Sequence, residues 1–194
     1  PSQPQGIAAG RFNADTNLDL VTANWNSGNV TVFTNDGAGN FAAAASIATG
    51  NNPVAVAASD LNGDSKTDIA AANFYGNTVS LLLGDGAGGF TLATNLSGFS
   101  QPYNLAIADL NNDGKADLIV PNYGNGTMSV LLGNGNGTFQ VASNYTVGSN
   151  PEAVAVGDLN GDGRPDLAVA NYSSATVSVF TNTGSGTFVL AATV

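Results

Sequence analysis

The 194-residue chain contains no cysteine and no histidine. Without cysteine it can form neither disulfides nor thiolate metal sites, and its composition does not indicate a redox compartment. Without histidine it lacks the most common general base and metal ligand of proteins. No Ser–His, Ser–Lys or Cys–His arrangement is available for nucleophilic catalysis, so we expect that the protein is not an enzyme.

Basic residues and long apolar runs are also scarce. The chain has only four Lys and Arg residues but fourteen Asp and Glu residues, which gives a net charge of −10. Nucleic-acid binding needs a basic surface, so this charge balance excludes nucleic acid as a partner. No run of about 18 apolar residues is present, so we expect no membrane span. No segment keeps the 3.6-residue period of a helix.

One sequence pattern is present four times at a spacing of 49 residues. The segment RFNADTNLDLVTAN (11–24) recurs as DLNGDSKTDIAAAN (60–73), DLNNDGKADLIVPN (109–122) and DLNGDGRPDLAVAN (158–171). Two further sets of residues keep the same step: Pro4, Pro53, Pro102 and Pro151, and Phe41, Phe90, Phe139 and Phe188. A period of this length indicates a repeat architecture.

Each repeat contains four short apolar or alternating segments. In the last repeat these are 153–157, 167–171, 176–180 and the segment that begins at Phe188. Four strands joined by tight turns in about 49 residues are the unit of a β-propeller blade. We therefore predict an all-β propeller array over 1–194, with four-stranded blades at about 1–49, 50–98, 99–147 and 148–194.

A glycine-rich turn follows the third strand of every repeat, as in GDGAGGF (84–90). A phosphate-binding loop would need a helix N-terminus after the glycines, and here a strand follows. We therefore interpret these turns as hairpin connections, and we expect that the repeated Phe packs between blades.

The acidic residues are concentrated in the repeated segment that precedes the second strand. Its fullest version, Asp158-x-Asn160-x-Asp162-Gly163-x-x-Asp166, places oxygen ligands at positions 1, 3, 5 and 9. Six to eight oxygen ligands are what Ca²⁺ prefers, and carboxylates crowded together without a cation repel each other. An EF-hand is excluded because Val169 occupies position 12, where that motif needs Glu. The alternative is a set of Asx turns.

These acidic segments and the Gly-x-Gly-x-Phe turns resemble the FG-GAP or VCBS-type repeats of integrin α-chain propellers and of fungal and bacterial propeller lectins. The resemblance covers essentially the whole chain. It implies that each loop joins the first two strands of a blade and binds Ca²⁺ through the side chains at positions 1, 3, 5 and 9 and the carbonyl at position 7. The implied ligands are Asp60, Asn62, Asp64, Lys66 and Asp68; Asp109, Asn111, Asp113, Lys115 and Asp117; and Asp158, Asn160, Asp162, Arg164 and Asp166.

The first loop departs from this pattern. Arg11 replaces the acidic residue at position 1, and Thr16 stands where the fullest loop has Gly. Asn13, Asp15 and Asp19 remain as candidate ligands. We expect about three Ca²⁺ ions per chain and weak or no binding at the first loop, where Arg11 would supply the positive charge. Ser65 also replaces the preferred glycine in the second loop, at a cost in backbone strain.

An Asn–aromatic pair ends the second strand of each repeat, opposite the acidic loops. The pairs are Asn24–Trp25, Asn73–Phe74, Asn122–Tyr123 and Asn171–Tyr172. An amide can bind sugar hydroxyls and a ring can stack on a pyranose, so these residues are candidates for ligand binding. Alternatively, the rings fill the gaps between blades and the asparagines cap the strands.

The resemblance implies a calcium-stabilised, non-enzymatic recognition module for glycans or cell-surface ligands, located outside the cell or at its surface. Two alternatives stay open: a purely structural repeat module of a larger secreted or surface protein, and a non-catalytic domain of a carbohydrate-active enzyme. Four blades would close a small ring, pair with a second chain to make eight blades, or form part of a longer array. Open blade faces favour self-association.

Overall fold

The computed structural model describes residues 1–194 and consists of strands, turns and loops without a helix. Sixteen strands form four separate four-stranded sheets, one in each 49-residue repeat. The first two sheets contain β1 (Pro4–Gly10), β2 (Asp19–Asn24), β3 (Asn29–Asn35), β4 (Phe41–Ala48), β5 (Pro53–Ser59), β6 (Asp68–Asn73), β7 (Thr78–Gly84) and β8 (Phe90–Leu96). The other two contain β9 (Ala106–Ala108), β10 (Asp117–Asn122), β11 (Thr127–Leu131), β12 (Ser143–Thr146), β13 (Pro151–Gly157), β14 (Asp166–Asn171), β15 (Thr176–Gly184) and β16 (Thr187–Thr193).

Within every sheet the strands are antiparallel and follow one another in chain order. Four such sheets in succession confirm the all-β propeller array expected from the 49-residue period. We call the sheets blades 1 to 4. Nothing helical in the structure has the length and hydrophobicity that crossing a bilayer requires.

The first strands of neighbouring blades approach each other closely, which explains why the sequence places small residues there. A Cβ atom at Gly6 would lie 2.7 Å from the Ala55 Cα and 2.7 Å from the Val54 carbonyl oxygen. Only glycine allows this approach between β1 and β5 without a backbone shift. The first strand of blade 3 is short, and Tyr103 to Leu105 precede it outside the sheet.

The core is divided into three buried clusters, one between each pair of consecutive blades. Between blades 1 and 2, Val21 and Val32 pack with Ile69 and Leu82. Corresponding apolar residues of blades 2 and 3, and of blades 3 and 4, form the other two clusters. No such cluster and no hydrogen bond joins blade 4 to blade 1.

The glycine-rich segments are hairpin turns, as expected; in one of them the Asp85 N–H donates to the Gly89 carbonyl at 3.0 Å. The phenylalanine after the turn packs on the preceding blade in three repeats. Phe90 meets Phe12 edge-to-face at a ring-centroid distance of 5.5 Å, and Phe139 and Phe188 join the next two clusters. In blade 1 the expectation is wrong, because Phe41 belongs to none of the three clusters and is 46% exposed.

The asparagine at the end of each second strand is buried and joins strands of its own blade. The Asn73 amide N–H₂ donates to Thr78 Oγ1 at 3.0 Å and to Ser80 Oγ at 2.8 Å, and Ser80 Oγ donates in turn to Asn95 Oδ1. Asn122 and Asn171 form the same pair of bonds to the hydroxyls of their third strands, and Asn24 donates to Asn29 Oδ1 and Thr31 Oγ1. Buried polar side chains of this kind stabilise a fold only while their partners are present.

We expect that Asn73→Ala lowers the free energy of unfolding by about 1–3 kcal/mol, because the buried Ser80 hydroxyl and the half-buried Thr78 hydroxyl lose their donor. Chemical denaturation followed by circular dichroism measures this change. The control is Asn51→Ala, since Asn51 is exposed and its side chain makes no hydrogen bond. Equal stabilities of the two variants would contradict the structural role of Asn73.

Candidate metal loops and aromatic surface

The acidic loops and the Asn–aromatic pairs lie at opposite ends of the second strand of each blade. In blade 3 the loop 109–116 leads into β10, and Asn122 and Tyr123 follow at its far end. Six residues of extended chain separate the two sites by roughly 20 Å. Each blade therefore presents two chemically different ends.

The aspartate at position 9 of each loop is fully buried and accepts two backbone hydrogen bonds. Asp117 Oδ2 accepts the Leu110 N–H at 2.8 Å, and Asp117 Oδ1 accepts the Gly133 N–H at 2.7 Å. Asp19, Asp68 and Asp166 form the same pair of bonds in their blades. The residue expected only as a metal ligand thus ties the loop and the end of the third strand to the second strand.

The charge of this buried aspartate is unfavourable in blades 2 and 3. Burial raises the pKa of Asp68 and of Asp117 above the ordinary value, and the two N–H donors only partly oppose this. The neighbouring carboxylates of the same loop raise both pKa values further. A cation in the loop would relieve this repulsion.

The aspartate at position 1 is surrounded by backbone donors of its own loop. Asp158 Oδ1 accepts the Gly161 N–H at 2.7 Å, and Oδ2 accepts the Gly163 N–H at 2.9 Å. These donors, the Gly163 N–H first, hold the pKa of Asp158 below its usual range. Asp60 likewise accepts the N–H groups of Gly63 and Ser65, and Asp109 accepts those of Asp113 and Gly114.

The aspartate at position 5 accepts the N–H of position 7 and pairs with the basic side chain there. The nitrogen–oxygen distances are 3.6 Å for Lys66–Asp64, 3.5 Å for Lys115–Asp113 and 3.8 Å for Arg164–Asp162. No three carboxylates converge closely enough to hold a metal ion in this arrangement. The donor set, made entirely of oxygens with free lone pairs, still fits a hard cation, which would replace the backbone donors of position 1.

The first loop has a different backbone conformation. The other three loops place positions 4 and 6 at positive φ; in the second loop these are Gly63 at 79° and Ser65 at 65°. Ala14 and Thr16 of the first loop have no positive φ. Arg11 makes no ion pair within 4 Å. The strained φ of Ser65 agrees with the sequence expectation.

Variants of two aspartates in the third loop can distinguish a role in folding from a role in metal binding. In chelator we expect that Asp117→Asn lowers the free energy of unfolding by about 1.5–3 kcal/mol, because two backbone N–H groups lose a charged acceptor. The matched variant Asp113→Asn changes an exposed side chain, and we expect a change below about 1 kcal/mol. Denaturant titration of both variants measures the difference. A larger loss for Asp113→Asn would refute this division of roles.

At the opposite end, the four asparagines are not available to a ligand. Their exposed fractions are 0–2%, and their amide donors are used inside the sheet. Trp25 and Phe74 pack against aromatic residues of the following blade, and Tyr123 packs on Phe74 of the preceding one, so these rings fill the gaps between blades. Of the four aromatic residues, Tyr172 is the most exposed, at 70%.

Five aromatic residues of blades 1 to 3 form one continuous group at this end, which we call the aromatic surface: Trp25, Phe74, Tyr75, Tyr103 and Tyr123. Phe74 is its buried centre, with ring-centroid distances of 5.6 Å to Trp25, 4.9 Å to Tyr75 and 5.6 Å to Tyr123. Tyr75 is 59% exposed. The sequence gives no repeat signal for Tyr75 and Tyr103, because each is an aromatic residue in one repeat only.

Polar groups border the aromatic surface. Burial raises the pKa of Tyr103, and the nearby negative charge of Glu152 raises it further. A groove of about 250 Å³ runs beside Tyr103 and is also lined by Gln5 and Asn104. Ring faces with neighbouring carboxylate and amide groups suit a ligand that has both apolar patches and hydroxyls.

Comparison with protein families finds two matching models. The FG-GAP-like repeat model matches residues 11–71, 60–120 and 119–169, and the FG-GAP repeat model matches residues 150–189. Together these matches cover all four acidic loops. A search of curated protein sequences finds no significant match.

Several solved structures share the fold. A lectin of Agrocybe aegerita, described as recognising non-reducing terminal N-acetylglucosamine, is 26% identical with a TM-score of 0.61; the match covers 93% of this chain and 49% of the lectin. A Lactobacillus plantarum protein is 18% identical with a TM-score of 0.73, and 98% and 55% of the two chains are covered. A Bacteroides fragilis protein, provisionally described as a 6-phosphogluconolactonase, is 17% identical with a TM-score of 0.70 and coverages of 98% and 56%.

The two bacterial proteins are only 18% and 17% identical to this chain, so they support a shared fold and nothing further. The chain spans about half the length of the structures that it matches.

Proposed function

Because this chain belongs to the FG-GAP repeat family, we propose that it is a non-enzymatic recognition module that binds glycans through the aromatic surface. The observation that carries this proposal is the continuous group Trp25, Phe74, Tyr75, Tyr103 and Tyr123 beside Glu152. The similarity to a lectin that recognises a terminal sugar supports it.

The chemistry of the surface suits a sugar better than a charged ligand. A pyranose has one apolar face of C–H groups, which stacks on an aromatic ring, and hydroxyls at its edge, which need acceptors and donors. Tyr75 and the half-buried Trp25 offer rings at a centroid distance of 5.5 Å. Gln5 and Asn104 line the neighbouring groove and supply amide groups, and Glu152 supplies a carboxylate near Tyr103.

We assign the acidic loops of blades 2 to 4 a calcium-dependent structural role. The ion would be held by positions 1, 3 and 5, the carbonyl of position 7 and the second lone pairs of position 9, in the third loop Asp109, Asn111, Asp113, Lys115 and Asp117. Bound Ca²⁺ supplies charge neutralisation that this chain, with four basic residues, cannot supply itself. Such exposed loops suit the millimolar calcium outside cells, so we place the protein there.

Trp25→Ala and Tyr75→Ala each test the aromatic surface. We expect that each variant reduces glycan affinity at least tenfold, because a stacked ring contributes on the order of 1–3 kcal/mol of binding free energy. A glycan array that includes N-acetylglucosamine-terminated glycans, run in millimolar calcium, identifies the probe, and calorimetry with that glycan gives the affinities.

The matched control is Tyr172→Ala, which removes an exposed aromatic ring at the same repeat position outside the aromatic surface. It should retain the affinity of the unaltered chain. If the chain in calcium bound no glycan on the array, the proposal would fail, and a purely structural repeat module or a non-catalytic domain of an enzyme would take its place.

Calcium removal should lower the thermal stability of the chain. An ion bound only to the folded state stabilises it by mass action, by about 2.7 kcal/mol at a concentration of 100 times Kd. We expect about three sites by calorimetry, and one site fewer in Asp162→Asn. Asp15→Asn, in the first loop, should leave the number unchanged. The same melting temperature in excess calcium and in excess chelator would contradict this role.

A further inference from the structure

Five Asn–Gly pairs occur in the chain, and in such a pair the asparagine side chain can react with the backbone that follows it. The pairs begin at Asn62, Asn125, Asn134, Asn136 and Asn160. Glycine has no Cβ, so its amide nitrogen can approach the side-chain carbonyl of the preceding residue without steric hindrance. In the folded chain the reaction then depends on what each glycine N–H and each asparagine side chain already bind.

Two of these pairs belong to the same triplet, Asn-Gly-Thr, and have the same side-chain hydrogen bond. Thr127 Oγ1 donates to Asn125 Oδ1 at 2.8 Å, and Thr138 Oγ1 donates to Asn136 Oδ1 at 2.6 Å. Both asparagines are exposed, and both glycines have a positive φ. A hydroxyl donor at this oxygen stabilises the negative charge that forms there when a nucleophile adds to the carbonyl carbon.

A second amide orients each of these threonine hydroxyls. Asn122 Nδ2 donates to Thr127 Oγ1 at 3.0 Å, and Asn134 Nδ2 donates to Thr138 Oγ1 at 2.9 Å. Because each hydroxyl oxygen already accepts a hydrogen bond, its own proton is directed to the carbonyl of the reacting asparagine, and the chain of bonds polarises that carbonyl further. The two triplets are therefore alike at the carbon that would be attacked.

The triplets differ in the nitrogen that would attack. Gly137 N–H donates to the Leu61 carbonyl of the neighbouring blade at 3.0 Å, whereas Gly126 N–H makes no hydrogen bond within the chain. The Gly137 nitrogen can attack Asn136 only after it gives up this bond between blades 2 and 3. Asn125 thus combines an activated carbonyl with a free nucleophile.

Each of the other three pairs lacks one of these two conditions. The N–H groups of Gly63 and Gly161 donate to the aspartates at position 1 of their acidic loops, both at 2.7 Å. At Asn134 no hydroxyl donates to the side-chain carbonyl, and the amide nitrogen that would leave is bonded to Thr138.

We propose that Asn125 is a site of spontaneous deamidation in the folded protein. The Gly126 nitrogen forms a bond to Asn125 Cγ and loses its proton to water. The Cγ–Nδ2 bond breaks, and the nitrogen leaves as ammonia after taking a proton from water. Water then opens the cyclic imide at either of its two carbonyls, which gives aspartate or isoaspartate. In sum, one amide and one water become one carboxylate and one ammonium ion.

The product alters the end of the molecule that carries the aromatic surface. Asn125 lies in the turn between β10 and β11, two residues after Tyr123. A carboxylate there adds to the net charge of −10, and isoaspartate lengthens the backbone of the turn by one carbon. The reaction itself does not depend on the proposed ligand.

Mass spectrometry of proteolytic peptides, after long incubation in mildly alkaline buffer, measures the reaction at each pair. In the folded chain with calcium, Asn125 should deamidate about tenfold faster than Asn136, because Gly137 must first lose one backbone hydrogen bond. In denaturant the bond to Leu61 is absent, and the two identical triplets should react at similar rates.

Variants of the reacting triplet provide the controls. Asn125→Gln should keep its amide, because the longer side chain would have to form a larger and less favourable ring. Thr127→Val should slow the reaction severalfold, and Thr127→Ser, which keeps the hydroxyl, should restore it; circular dichroism verifies that each variant is folded. Equal rates at the two triplets in the folded chain, the same excess at Asn125 in denaturant, or an unchanged rate in Thr127→Val would each overturn the proposal.

Discussion

Each blade depends on the pair of hydrogen bonds that two backbone N–H groups donate to one buried carboxylate. Asp19, Asp68, Asp117 and Asp166 all connect the acidic loop, the second strand and the end of the third strand. A hydrogen bond to a charged acceptor is stronger than one between neutral groups, and no basic side chain of the loop is needed for it. The loop is therefore anchored at its last residue, while the carboxylates at position 5, those of Asp64, Asp113 and Asp162, remain exposed and available to an ion.

The blades cohere through side-chain packing and a few hydrogen bonds, without a continuous sheet. At each interface apolar residues of two blades form one cluster, as Ala70 and Ala72 do with Leu118 and Leu131. In this respect the chain resembles a linear array in which every unit stabilises only its neighbours. The aromatic surface spans blades 1 to 3, so its geometry depends on two of these interfaces.

The strands, the loops and the order of the blades were predictable, because the alternation, the glycines and the aspartates recur at one spacing. The backbone hydrogen bonds of Asp117 were not predictable, since the carboxylate of an aspartate at position 9 is equally suited to bind an ion or to accept a backbone N–H. The exposure of Phe41 was not predictable either, because its identity matches that of the buried Phe188. Tyr75 and Tyr103 were missed since they break the repeat, and only the fold brings them together.

The interlocking of loop position 2 with the phenylalanine of the following blade has an evolutionary consequence. Since the same two kinds of side chain meet at every junction, duplication or loss of one 49-residue module leaves all remaining junctions chemically intact. Chains of different module number can then arise without new contact residues. What limits the count is the angle through which each module turns the array.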